Sequence, residues 1–325
     1  MPYAMIAPKP GGPDVLEKHS IQLSAPTATE VQIQQTAIGV NFIDAYFREG
    51  SYPWPVESDL ILGTEAAGVI CEVGSDVNDF KVGDRVAYAI PNGAYASHRN
   101  LDVAHLVSIP DAIDDKTAAA IMVKGLTAHY LLHRSYKVSA GERVLFHAAA
   151  GGVGLIAGQW LAHKNVTAFG TAGGAQKCDL AAQNGFQHTI DYLSQDFVSE
   201  LDRLTEGQGV DVVYDSVGQS TYPGSLKCLK TFGTFVSFGQ SSGPATEFKL
   251  ADLASNGSLT ATRPSLFHFI AQRSYLDQAA AELFALVADG TLRIAVNQEF
   301  ALDAAAEAHR QLEGRNTTGC TILVP

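Results

Sequence analysis

The sequence predicts an α/β protein in two parts: a mainly antiparallel, partly open barrel and a doubly wound parallel sheet. Three observations carry the prediction. Short segments of period-two alternation separated by turn residues fill the residues before Thr117. From Arg143 onward strand-like and helix-like segments alternate, which is the pattern of parallel βα units. Where that alternation begins, the stretch 144–161 reads as a buried strand, a glycine-rich turn and an amphipathic helix.

In chain order, 31–36 and 85–90 alternate as strands, and Gly11-Gly12-Pro13 and Gly83-Asp84 mark turns. Two helices follow near Thr117, over 118–122 and 126–132, separated by Lys124-Gly125. Strands are expected at 166–170, 188–191, 210–214, 234–238 and near 259–261, with helices between them. After Pro264 come a helix over 275–289, an apolar strand near 294–296, a helix over 303–312 and a strand over 320–324, a tail expected to return to the first domain. The domains are therefore 1–125 with 265–325, and 126–264.

The composition is that of an ordinary globular chain, 46% hydrophobic and 17% charged over 325 residues, long enough for two domains. A net charge of -12 argues against general binding to phosphate backbones. No basic leader or apolar run near ~20 residues stands out, so a cytoplasmic protein without membrane contact is expected. Cys71, Cys178, Cys228 and Cys320 lie far apart and form no CxxC pair, so neither a zinc cluster nor a disulfide framework is suggested. The ten histidines show no metal-ligand spacing, and no Ser-His-Asp or Cys-His order stands out.

The turn carries the chemistry. A dinucleotide fingerprint needs small residues at the tight turn, at the backbone approach to pyrophosphate and at the helix–strand contact; Ala149, Gly151 and Gly154 fall at these spacings. Gly152 and Val153 open the helix, whose unpaired N–H groups and positive dipole end would face the anion. The alternative is that these glycines only let a helix pack close to a sheet.

Gly63-Thr64-Glu65-Ala66-Ala67-Gly68, Lys81-Val82-Gly83-Asp84-Arg85-Val86 and the Ala149 to Gly154 turn, in this order, resemble the medium-chain dehydrogenase/reductase superfamily. Asn41-Phe42-Ile43-Asp44-Ala45-Tyr46, Lys124-Gly125-Leu126-Thr127-Ala128, Tyr214-Asp215-Ser216-Val217-Gly218 and Thr262-Arg263-Pro264 are similar to its NADPH:quinone oxidoreductase branch, which includes zeta-crystallin. The resemblance implies a GroES-like catalytic domain and a Rossmann nucleotide domain. The zinc alcohol dehydrogenases of the superfamily place a cysteine ligand where this chain has Asn41 and a histidine ligand where it has Thr64, and their Cys-rich structural-zinc lobe is missing. A metal-free reductase is expected, acting on an acceptor that is already electrophilic.

An NAD site places a carboxylate about 20 residues after the fingerprint. Here that position reads Thr171-Ala172-Gly173-Gly174-Ala175-Gln176-Lys177, with no acid before Asp179. NADP is favoured, with Gly173 at the loop and Lys177 as the cation for a 2′-phosphate, although a lysine opening a surface helix is also commonly just solvated. The resemblance adds Tyr192 as a wall of that pocket. Ser216 and Gly218 end a central strand, and Phe238, Gly239 and Ser241 follow the next, where doubly wound sheets bind ligands. Arg263 and Asn316 are cofactor contacts by resemblance.

At the reacting end, the resemblance places Asn41, Asp44 and Tyr46 along the nicotinamide and substrate cleft; the other reading is a helix-capping cluster. Lys124, Thr127 and Tyr130 share a helical face that the resemblance turns toward the nicotinamide half. Lys124 either stabilises a developing oxyanion or forms an ion pair with Asp44. Tyr52 is either an aromatic wall of the substrate cleft or a packed turn tyrosine before Pro53.

The expected function is hydride transfer from NADPH to a quinone, with Tyr46 or solvent as proton donor. An enone or alkenal reductase is the nearest alternative; a non-catalytic NADPH-binding or RNA-binding protein is the alternative of another class. A homodimer through the nucleotide domain is expected, with 234–238 and 246–250 leaving a sheet edge that a second copy, or else a loop or helix of the same chain, covers; the resemblance places 246–250 at the joint.

Overall fold

The computed structural model describes all 325 residues, divided between two compact units. Unit 1 comprises 1–126, 270–288 and 294–325; unit 2 comprises 127–269 and 289–293.

Unit 1 is built around one long strand, Glu30–Val40. One edge pairs antiparallel with Glu65–Val73 along nearly its whole length. The other edge is shared: His98–Asp102 takes its first half and Cys320–Val324 its last residues. Arg85–Ala89 and Leu106–Ser108 extend the sheet antiparallel, Val296–Ala301 lies parallel on Cys320–Val324, and a separate three-stranded sheet holds Tyr3–Ala7. The path of strands stays open. Ile33, Ile38, Leu62, Ile70, Tyr88 and Leu106 fill the core beneath it.

The expected helix break at Lys124-Gly125 does not occur: Asp115–Tyr130 is one helix. The glycine has a packing role. A Cβ at Gly125 would stand 2.5 Å from a methyl of Leu283, so its absence lets the helix Arg273–Ala288 pack closely. The small residue that reads as punctuation marks a helix crossing.

Unit 2 is a six-stranded sheet with every adjacent pair parallel. Numbered by appearance within it, the strands lie in the order third, second, first, fourth, fifth, sixth: His188–Asp191, Thr167–Ala172, Arg143–Phe146, Val210–Asp215, Leu229–Ser237, Thr260–Thr262. This is the Rossmann order, whose reversal between first and fourth strands opens a crevice at their C-terminal ends. The central strands are nearly continuous apolar runs because helices cover both faces.

The expected sheet edge at 234–238 is covered, because Thr234, Phe235 and Val236 pair with Thr260, Ala261 and Thr262. Nor is 246–250 a strand: it is a turn leading into the helix Leu250–Ser255, and Phe248 packs edge-on to Tyr222 against the core of unit 2. The alternation there came from one half-buried aromatic in a turn.

Candidate functional site

In unit 2 the first strand delivers the chain into the turn 148–151. Gly151 is the N-cap of the helix Gly152–His163, no side chain caps that end, and the first turn carries no acid. Gly154 is required by geometry, since a Cβ there would stand 2.5 Å from the carbonyl oxygens of Ala148 and Ala149. Ala149 is tolerated at the first position because its methyl faces another glycine: a Cβ on Gly170 would meet it at 2.7 Å. The result is a cradle of backbone N–H groups at a helix start, with room for a pyrophosphate.

The second strand ends at Ala172, and a Cβ on Gly173 would lie 2.6 Å from the hydroxyl of Tyr192, so these two candidates are neighbours. Lys177 is half-buried in the first turn of the helix Ala175–Gln183. Sequence reasoning missed Asp191. Its carboxylate accepts from the N–H groups of Gly174 at 2.7 Å and Leu193 at 3.0 Å, which hold it below its ordinary value. The loop therefore has an acid after all, supplied by the third strand, and the Gly174 N–H is already occupied.

At the fourth strand, Asp215 accepts from the N–H groups of Val217 and Gly218 and so shapes the loop after it. Ser241 N–H donates to the Ser216 carbonyl at 3.2 Å, and a Cβ on Gly239 would meet that oxygen at 2.6 Å, which joins this loop to the next. Phe238 lies 5.6 Å from the ring of Phe146. Arg263 reaches the same place: its guanidinium donates to Ser237 Oγ, the Gly239 carbonyl and Gln240 Oε1. Tyr130 is buried with its ring stacked on Phe269 at 4.8 Å, and Thr127 is buried one turn before it.

Unit 1 gathers a second set. Asn41 caps the helix Phe42–Glu49, and its N–H donates to Asp44 Oδ2 at 2.8 Å in a capping box, so the capping reading describes Asp44. The Asn41 amide donates to Thr64 Oγ1 and to Glu65 Oε1. Glu65 is the centre that sequence reasoning overlooked. Fully buried, it also accepts from Lys124 Nζ at 2.8 Å and from the Val123 N–H. Of the two readings of Lys124, the ion pair is corrected in its partner: the lysine pairs with Glu65, not Asp44, and also donates to the Val40 carbonyl. Burial pulls that ammonium down, but Glu65 more than offsets this and holds it above its ordinary value.

Asp44 is fully buried, and one of its oxygens, Oδ1, has no hydrogen-bond partner; burial raises its carboxyl to about 7. A line of side chains leads away from it. Tyr95 donates to Asp44 Oδ2 at 3.1 Å, Tyr95 meets His309 Nε2 at 2.9 Å, and His309 Nδ1 meets Arg48 Nη1 at 2.8 Å. Arg48 pairs with Glu313 at the surface. Because a guanidinium only donates, His309 Nδ1 accepts and Nε2 carries the proton; burial, with Arg48 adding to it, lowers His309 to about 3. No local signal marks His309 in the sequence, whereas Glu65 opens a strand whose next five residues carry no charge.

Tyr46 and Tyr52 stand 5.4 Å apart in one aromatic group with Phe42 and Phe47, so Tyr52 is both packed and beside Tyr46. Asn316 lies exposed in the loop before Cys320–Val324. Nowhere do three or more His, Cys, Asp or Glu side chains gather as a metal site.

These features agree with what the chain matches. Residues 27–139 match the alcohol dehydrogenase GroES-like domain and 184–323 the zinc-binding dehydrogenase family. The chain is 48% identical over 317 residues to the quinone oxidoreductase of Pseudomonas aeruginosa, 97% of each being covered, and 41% identical over 332 residues to a 2-haloacrylate reductase of Burkholderia, covering 100% of this chain and 99% of that one. It superposes on Escherichia coli quinone oxidoreductase complexed with NADPH with a TM-score of 0.97 at 44% identity, covering 99% of this chain and 100% of that one. With near-complete coverage on both sides and both halves matched, the chain belongs to the quinone oxidoreductase family of the medium-chain dehydrogenase/reductases.

Proposed function

We propose that the protein is an NADPH-dependent, zinc-independent quinone reductase. One observation carries the reading: an uncapped, acid-free helix start, with backbone too close for any Cβ at Gly154, sits at the crevice of a Rossmann sheet. That cradle fits the pyrophosphate of a dinucleotide. In this reading 126–264 binds NADPH and 1–125 with 265–325 supplies the reacting site. Ala149, Gly151, Gly152, Val153 and Gly154 hold the pyrophosphate; Gly173, Lys177 and Tyr192 hold the 2′-phosphate end; Ser216, Gly218, Phe238, Gly239, Ser241, Arg263 and Asn316 hold the remainder.

When bound, NADPH supplies the hydride. The chain orients and excludes water. Asn41 is held in one pose by Thr64, Glu65 and the cap; Lys124 stays paired with Glu65; Thr127 and Tyr130 lie further along the same helix; Tyr46, with Tyr52 against it, gives the proton that completes the hydroquinone.

NADPH oxidation against quinones and α,β-unsaturated carbonyl acceptors tests the reading. Turnover of quinones with NADPH well above NADH is expected, and equal use of the two cofactors or no quinone turnover would overturn it. Lys177→Ala should cost roughly 1.5–3 kcal/mol of NADPH binding and leave NADH binding unchanged. The relative that reduces a haloacrylate favours an activated alkene as second substrate class, which the same panel decides. Four unpaired thiols suit a reducing compartment, and we assign the cytoplasm. The outer edge of Thr260–Thr262 has no partner strand in the sheet, and we place a homodimer contact there in place of 246–250. Sedimentation as a monomer at micromolar concentration would exclude it.

A further inference from the structure

Unit 2 contains a line of buried polar side chains that no step above uses. His147 follows the first strand, Thr171 lies in the second, Asp215 ends the fourth, and Ser225 stands in the helix Tyr222–Lys227. All four are at most 2% exposed. Thr171 Oγ1 lies 2.8 Å from His147 Nδ1, His147 Nε2 lies 3.0 Å from Ser225 Oγ, and Ser225 Oγ lies 2.9 Å from Asp215 Oδ2.

The direction of each bond follows from the last member. The Asp215 carboxylate and the Thr221 carbonyl, 3.0 Å from Ser225 Oγ, only accept, so the Ser225 hydroxyl donates to this pair and its oxygen accepts from His147 Nε2–H. Nδ1 is then bare and accepts the Thr171 hydroxyl. Burial holds His147 below its ordinary value, with the Asp215 charge acting against this, which agrees with a neutral ring. Every donor in the line thus points toward Asp215, whose other oxygen accepts from Val217 N–H, Gly218 N–H and Thr221 Oγ1.

The members sit where the three loops of the cofactor cradle begin. His147 immediately precedes the turn 148–154, Thr171 precedes Gly173, and Asp215 shapes 216–218. A core of branched apolar residues would hold the strands together as firmly, since buried polar groups must recover the cost of leaving water. A fully satisfied network adds a fixed spacing and angle.

We propose that Thr171, His147, Ser225 and Asp215 act as one tie that sets the mutual position of the three strand-end loops, making His147 a positioning residue for NADPH. This rests on the NADPH reading above. A tie fails as a unit: cutting either end releases all three loops, so a second cut adds little.

The test uses the full chain with Thr171→Val, Ser225→Ala, the double variant and the conservative Thr171→Ser. NADPH dissociation constants by direct titration, KM for NADPH and for a quinone, and melting temperature are measured together. Each single change should weaken NADPH binding about tenfold and leave the quinone KM unchanged, with the double variant no weaker than about twentyfold and Thr171→Ser within twofold of the parent. Two results overturn the proposal: unchanged NADPH affinity in both single variants with only the melting temperature lowered, or independent losses that multiply to about a hundredfold in the double variant. Should Thr171→Val not fold, Ser225→Ala against Thr171→Ser decides, since unaltered affinity in Ser225→Ala alone breaks the tie. Failure of the parent protein to bind NADPH would instead refute the functional reading.

Discussion

Each unit contains a buried histidine that passes a donor chain to an aspartate, and the two aspartates end in opposite conditions. Asp215 in unit 2 is saturated, accepting from two backbone N–H groups and two hydroxyls. Asp44 in unit 1 accepts from Asn41 and Tyr95 through one oxygen and leaves the other without a partner. A saturated carboxylate serves as a fixed anchor, while an undersupplied one is free to change its protonation. The difference assigns a fixed anchor to the strand-end loops of unit 2 and a titratable group to unit 1.

The largest expected effect tests what else unit 1 holds. Lys124→Met leaves Glu65 buried without its counter-charge and should destabilise the fold by roughly 3–5 kcal/mol, whereas Lys124→Met with Glu65→Gln should recover most of that. Denaturant titration of the three proteins checks it; a single variant as stable as the parent would show that Glu65 does not need its partner.

Next, Asp215→Asn keeps a carbonyl for Val217 N–H, Gly218 N–H and Thr221 Oγ1 but presents an NH2 group to the Ser225 hydroxyl, which then turns to the Thr221 carbonyl. A loss of about 1–3 kcal/mol is expected from this reversed bond at the end of a satisfied line, against a smaller loss for Asp44→Asn, whose carbonyl can still close the cap. Equal losses would erase the contrast between the two aspartates.

The pH dependence of stability sharpens it further. Asp44 is raised to about 7 from 3.8, so between these values the folded chain keeps a proton the unfolded chain has lost, and stability falls as pH rises. His309 is lowered to about 3 from 6.5, so over that window the unfolded chain holds the extra proton, and stability rises with pH. Between pH 4 and 6.5 the two slopes cancel. Asp44→Asn should therefore uncover a rising slope of about 1.4 kcal/mol per pH unit and His309→Gln a falling one of like size. Parallel curves for parent and variants would show that neither group titrates as the geometry requires.

The last change, Tyr95→Phe, removes one donor from Asp44 and the acceptor of His309 Nε2–H. A loss of about 1–2 kcal/mol is expected, with any acid limb in the pH profile of turnover moved to higher pH because the carboxylate is less supported.

What could be read from residues alone follows the distance over which each feature is encoded. The βα unit at 143–163 was legible because strand, turn and helix start are all local, down to the need for small residues at Ala149, Gly151 and Gly154. Gly125 misled, because a glycine chosen for contact with Leu283 carries the same local sign as a helix end. The carboxylate at the second-strand loop was missed because Asp191 arrives from the next strand. An ion pair was one of two readings of Lys124, and it named Asp44; the partner is Glu65, which comes from a strand 59 residues away. The Asp44 to His309 line joins residues from distant segments through Tyr95, and no period or spacing announces it.

The shared edge of Glu30–Val40 also sets an order of events during synthesis. Its last residues wait for Cys320–Val324, so the sheet of unit 1 cannot be completed until residue 324 has been made. The six strands of unit 2 are all available once residue 262 is made, and each pairs with neighbours from the same continuous segment. Unit 2 is thus able to assemble first, while the last residues of Glu30–Val40 still lack the strand that closes their second edge.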